Sequence, residues 1–200
     1  HLLRSGLSGA EIAKSMLSSY GINDVTITMV NGTLSDHYNP LTKTVNLSPA
    51  VYQGRSVAAA AVAAHECGHA VQHAKAYGPL GMRSALVPIV SVTSSMSQWV
   101  VIGGLVLGAA AGVGFGYWVA VAGLGMMGFA TLFSFITLPV EYDASNRALA
   151  WLKNKNMLTQ EEYIGSEDAL KWAARTYLVA AIGALASLLY WALQVFGGRD

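Results

Sequence analysis

The sequence predicts a mainly α-helical integral membrane protein with about three transmembrane helices and a small water-soluble α+β unit containing a minor β-sheet. Three observations carry this. Of the 200 residues, 54% are hydrophobic and 12% charged, with mean hydropathy +0.43, whereas soluble domains are about one quarter charged. No Asp, Glu, Lys, Arg or His occurs from Ser84 to Val140 or from Thr176 to Gly198, and a spanning helix needs roughly 20 mostly apolar residues. Residues 1–55, by contrast, carry helix-cap, strand and turn signals among polar positions.

The predicted organisation is a soluble α+β part over 1–83, a transmembrane hairpin over 84–140, a polar helical part over 141–175, a last transmembrane helix over 176–196 and a tail over 197–200. Ser8-Gly9-Ala10-Glu11 is a capping box, in which serine and glutamate satisfy each other's unpaired backbone donors. A helix to about Tyr20 follows, with Gly21 placed to cap it. Val25, Ile27 and Met29 alternate along a strand that meets Asn31-Gly32, the strongest short hairpin signal. A second turn at Asn39-Pro40-Leu41-Thr42 leads to a strand over 43–47. Residues 56–76, rich in Ala and Val, read as a helix ended by Gly78-Pro79.

In the charge-free block, helices are expected at about 89–112 and 116–138, joined by Gly112-Val113-Gly114-Phe115-Gly116. Glycines 103, 104, 108, 123, 125 and 128 suit close helix packing in lipid. A helix near 141–155 and the capping pattern Thr159-x-x-Glu162 precede the last span.

The net charge of +1 gives no basic footprint for nucleic acid. The single Cys67 excludes an intramolecular disulfide. Three spans would place every Lys and Arg from Arg4 through Arg175 on one side and only Arg199 on the other, and the positive-inside rule makes the first side the cytoplasm. The chain opens at His1 with a segment that fits neither a signal peptide nor a span, so a preceding N-terminal segment is expected.

The chemistry centres on His65-Glu66-Cys67-Gly68-His69. Two histidines four apart on a helix share a face and reach one metal ion, with Glu66 about 100° round and able to approach the metal's water. Zinc suits imidazole ligands and, for catalysis, takes three protein ligands and an open position. Chance matches to the motif occur on the order of once in a hundred chains of this length, and two His and a Glu are unwelcome in an Ala-rich helix without a task. His73 lies roughly 12 Å along the helix axis from His65, too far to share the ion, and reads as a helix-end or supporting residue. Cys67 is expected to pack as a small apolar side chain. Two spans return the chain to the face it left, which brings Glu141 back beside the motif helix. Glu141 and Asp143 are also simply the first acids after a span.

Asp36-His37-Tyr38-Asn39-Pro40, Thr42 to Leu47, Gly54-Arg55-Ser56-Val57, Ala63 to His73 and Leu138 to Ser145 closely resemble, in order, the bacterial YugP-like neutral zinc metallopeptidases. The order of motif helix, membrane hairpin and helical glutamate is more distantly similar to the heat-shock and CAAX-processing membrane metallopeptidases. The resemblance implies a zincin-like α+β catalytic unit of gluzincin type, with one zinc ion held by His65, His69 and Glu141 and Glu66 as general base. It implies peptide or protein substrates, membrane proteins among them, a bacterial inner-membrane location with several spans, and a further transmembrane helix ahead of this sequence. The distant relatives usually carry Asp four residues after the ligand glutamate. Here that position is Ser145 and the nearby acid is Asp143.

His37, Tyr38 and Arg147 are candidates for a transition-state hydrogen bond, and residues 43–47 for an edge to which an extended peptide adds. The competing reading is a non-catalytic, zinc-stabilised membrane scaffold or chaperone-like partner. A deformylase-like hydrolase is disfavoured, because no Cys precedes Cys67 to serve as third ligand.

Overall fold

A computed structural model describes residues 2–111 and 113–197. In chain order it contains α1 (Gly9–Ser19), β1 (Thr26–Met29), β2 (His37–Asn39), β3 (Thr44–Leu47), α2 (Pro49–Tyr52), α3 (Val57–Ala74), α4 (Gly78–Ala111), α5 (Val113–Asn154) and α6 (Gln160–Phe196). The protein is a mainly α membrane protein with a small sheet: α4, α5 and α6 are each long and apolar enough to cross a bilayer. Its residues fall into two compact units, one running to Gly81 and joined by Pro139–Arg175, the other formed by Met82–Leu138 and the chain from Thr176.

In the first unit, Ser8 Oγ accepts from Glu11 N–H and Glu11 accepts from Ser8 N–H, so the capping box forms. Ile12, Ala13, Met16 and Leu17 make one buried stripe on α1. Gly21 follows the C-cap with φ +68°, a left-handed conformation that costs glycine little.

The sheet order is β1-β3-β2, with β1 parallel to β3 and β2 antiparallel to it. Asn31-Gly32 therefore does not join two neighbouring strands. A two-residue type I′ hairpin needs positive φ at both central residues, and of this pair only Gly32 has it. The ends of the connection are pinned to either side of β3: Val30 N–H donates to the Leu47 carbonyl, and the Asp36 carboxylate accepts from Ser48 N–H and Oγ. The second turn does form the β2–β3 hairpin, where Asn39 Oδ1 accepts from Leu41 and Thr42 N–H. Because β3 is central and paired on both sides, it has no edge to offer a peptide. The expectation for 43–47 is corrected, and the outer strands are β1 and β2.

Ser56 caps α3 by accepting from Ala59 N–H. The helix stops at Ala74, and Ala76 takes a positive φ of 50°. Gly78-Pro79 opens α4 rather than ending α3, since a proline in the first turn has no N–H that the helix would use.

In the second unit the apolar helices are longer than expected. The Ser/Thr-rich stretch after Pro88 is helical, and its hydroxyls are satisfied within the helix: Ser91, Thr93, Ser95 and Ser97 donate to carbonyls of their own helix. α5 continues through Pro139, and α6 runs unbroken from the Thr159–Glu162 capping box. Residues 113–116 of the glycine-rich segment are already helical, and Gly112 lies outside the described residues. Gly104 and Gly116 let backbones meet, and a Cβ on Gly123 would lie 2.7 Å from Val101. Gly103, Gly125 and Gly128 face open space instead.

Candidate metal centre

Small residues on α3 decide how closely its neighbours approach. Ala60, Ala61, Ala63, Ala64, Cys67 and Val71 are buried among α1, the sheet and α5 side chains of one core. Cys67 packs there as expected, and burial pushes its thiol pKa up. The closest approach is at Gly68, where a Cβ would lie 2.5 Å from the Ala144 carbonyl oxygen of α5. The backbone of α5 thus crosses directly over the motif. Glu141, Ala144, Ser145 and Ala148 form its buried face at helical spacing.

The crossing inserts Glu141, 2% exposed, between the two motif histidines. His65 Nε2 lies 3.2 Å from Glu141 Oε2, and His69 Nε2 lies 3.6 Å from Glu141 Oε1. The imidazoles stand edge-on, their centres 4.8 Å apart. One ligand atom from each of the three residues can be chosen so that all lie within 4.8 Å of one another, and the group could hold a metal ion. Burial works against the charged imidazolium of His69, but its bond to Glu141 and the charges of Glu66 and Glu141 outweigh that and raise its pKa. Glu66 and Glu141 thus put two carboxyl groups, both buried, beside the imidazoles. A divalent cation would be favoured there by the acidic groups, and the nitrogen and oxygen donors suit zinc.

The profile of the family described as "Putative neutral zinc metallopeptidase" matches residues 2–196. The chain belongs to the neutral zinc metallopeptidase family. It is 39% identical over 198 residues to the "Putative membrane protease YugP" of Bacillus subtilis (strain 168), covering 98% of this chain and 84% of that one. No solved structure matches.

Around the ligand group of this family member, the histidines are held differently. His65 Nδ1 lies 3.0 Å from Ser145 Oγ, so the serine four residues after Glu141 contacts one imidazole directly. His69 Nδ1 lies 2.9 Å from Gln72 Oε1. Asp143 reaches neither histidine in these contacts. It accepts from Gln72 Nε2 at 2.8 Å and from Arg147 Nε at 2.6 Å.

Of the remaining candidates, His37 is exposed, with Nδ1 2.8 Å from the Ser35 carbonyl and Nε2 3.2 Å from Asn46 Nδ2. Tyr38 Oη lies 2.7 Å from His73 Nδ1. Burial, with the nearby Asp24 charge, pushes the phenol pKa up to about 12, so it stays protonated at neutral pH. Both line a cavity of about 350 Å³ with Ile22, Asp24, Val25, Lys43, Ala70 and Ala74. Sequence reasoning missed Gln72. Its signal was a fully buried polar residue, 0% exposed, three positions after a motif histidine on the same helix.

Proposed function

We propose that this protein is a membrane-embedded zinc-dependent endopeptidase in which His65, His69 and Glu141 hold one zinc ion and Glu66 is the general base. The observation that carries the reading is the convergence of both histidine Nε2 atoms on the Glu141 carboxylate, with buried Glu66 on the same helix. Among the described residues the group offers three ligand side chains, short of the four that usually close a structural zinc site. This favours a catalytic centre over a zinc-stabilised scaffold.

Zinc, when bound, lowers the pKa of water to about 7 and polarises a carbonyl. Glu66 takes the proton from the attacking water as its oxygen bonds to the scissile carbonyl carbon. The carbon–nitrogen bond then breaks, and Glu66 passes the proton to the leaving amine. Glu141 stays an anionic ligand, shielded from water by its burial.

Glu66, Ala70 and His73 lie at i, i+4 and i+7, so the cavity beside Ala70 and His73 occupies the α3 stripe that carries the base. An extended substrate pairs with the outer edge of β2, which brings a side chain to Tyr38 and this cavity. Membrane proteins and unfolded segments are the substrate class, in processing or quality control. The distribution of basic residues supports a site at the cytoplasmic face of the bacterial inner membrane.

The test compares zinc content and peptide cleavage in the wild type and in Glu66→Gln. Zinc should stay at wild-type stoichiometry while turnover falls about 10²- to 10⁴-fold. Full cleavage by a clean preparation of the variant would overturn the assignment of the base.

A further inference from the structure

Gln72 combines complete burial with complete hydrogen bonding. Its two amide hydrogens go to the Val140 carbonyl and the Asp143 carboxylate, each at 2.8 Å. Both partners accept only, so turning the carboxamide over would set its oxygen against two oxygens. The amide therefore has one permitted orientation, with Oε1 towards His69. An oxygen accepts only, so the imidazole must carry its hydrogen on Nδ1. The neutral ring then has its lone pair on Nε2, the atom facing Glu141.

The contacts close on Gln72 itself. Asp143 is held by Arg147, whose guanidinium lies 5.7 Å from the centre of the Tyr77 ring. Tyr77 N–H in turn donates to the Gln72 carbonyl. Asp143 Oδ2 thus accepts from both Gln72 and Arg147, and its charge is balanced by Arg147 rather than by a histidine.

We propose that Gln72 is a positioning residue for the metal centre: polarised and locked by Asp143, Arg147 and the Val140 carbonyl, it fixes His69 as the Nδ1-protonated tautomer that ligates through Nε2. The inference rests on the proposed ligand set. In this chain a neutral amide on the motif helix holds one ligand histidine while the acid stands one bond further out. Asp143 therefore acts on His69 only through the Gln72 amide, and its effect on the centre should vanish when that amide is removed.

The experiment measures zinc affinity of the full chain in detergent by chelator competition, with the cobalt absorption spectrum as a second readout. The variants are Gln72→Leu, Asp143→Asn and the two combined. Gln72→Leu should weaken affinity roughly 10- to 100-fold, as loss of a ligand's supporting bond does. Asp143→Asn should weaken it several-fold, and should add little further loss to Gln72→Leu, because Asp143 acts only through the amide. Unchanged affinity in Gln72→Leu, or an Asp143→Asn loss as large in the Gln72→Leu background as in the wild type, would overturn the proposal. Glu141→Ala separates the two readings: retention of wild-type affinity there removes the ligand set, whereas its loss there with unchanged Gln72→Leu removes only the relay.

Discussion

Two helix crossings in this chain use one device to different ends. At Gly68 a missing side chain lets the backbone of α5 lie on the motif helix, and the contact places Glu141, Ser145 and the Gln72 amide around two histidines. At Gly104 and Gly116 the backbones of α4 and α5 meet equally closely, in a cluster of Val101, Ala120, Leu124 and Val195. The first crossing aligns donors and acceptors, whose energy depends on tenths of an ångström and on angle. The second gains dispersion between apolar surfaces, which tolerates small shifts. Close approach by itself is therefore not a functional signal. What the approach brings together is.

The largest effect that separates the two crossings is expected from Gly68→Ala. The added methyl meets the Ala144 carbonyl, α5 must move away, and Glu141 moves with it. Peptide cleavage should fall about 100-fold, as for a misplacement near 1 Å, and zinc retention after dialysis should fall with it. Cleavage at the wild-type rate would break the link between this crossing and the site.

Gly104→Ala forces the same kind of overlap, against Ala120 and Gly116, far from any donor named above in sequence. It should destabilise the chain by about 1–3 kcal/mol in detergent denaturation while zinc affinity per folded molecule stays unchanged. A parallel loss of zinc would show that the crossings are not separable. Gly103→Ala adds a methyl into open space and should gain up to about 1 kcal/mol from helix propensity. A loss in the same measurement would mean that a partner covers that face.

The smallest effect concerns pH and lies away from both crossings. Glu11 has its pKa lowered below the ordinary 4.5 by Ser8 N–H and the Ser8 hydroxyl, with burial opposing and Arg55 assisting. A carboxylate depressed in the folded state contributes stability above its unfolded pKa and loses it as pH falls through the folded value. The gap in melting temperature between wild type and Glu11→Gln should therefore be present at pH 6 and close below pH 4. A gap that persists at pH 3 would show that the capping box does not depend on the charge.

Much of the site's chemistry was legible beforehand because it is local. His65 and His69 share a face, with Glu66 about 100° round, by helical geometry alone, and both capping boxes need only four consecutive residues. The number of apolar helices followed from the absence of charge. Their lengths did not, because α4 runs on through its Ser/Thr stretch, whose hydroxyls bond carbonyls of the same helix, and α5 continues through Pro139. The pairing of β1 with β3 was also hidden: Asn31-Gly32 favours a hairpin locally, and contacts to Leu47 and Ser48 override it.

By itself the sequence determined the fold class, the membrane character and the metal-binding motif, since burial of apolar residues and helix periodicity act over a few turns of chain. Only the tertiary structure decided which glycine sets the crossing over the motif, that Ser145 contacts His65, and that Asp143 reaches His69 only through Gln72. Those depend on where carbonyls and amides from segments some seventy residues apart come to lie. Hydrogen bonds are directional and short, so a spacing rule along one chain segment cannot choose among the partners that another segment brings.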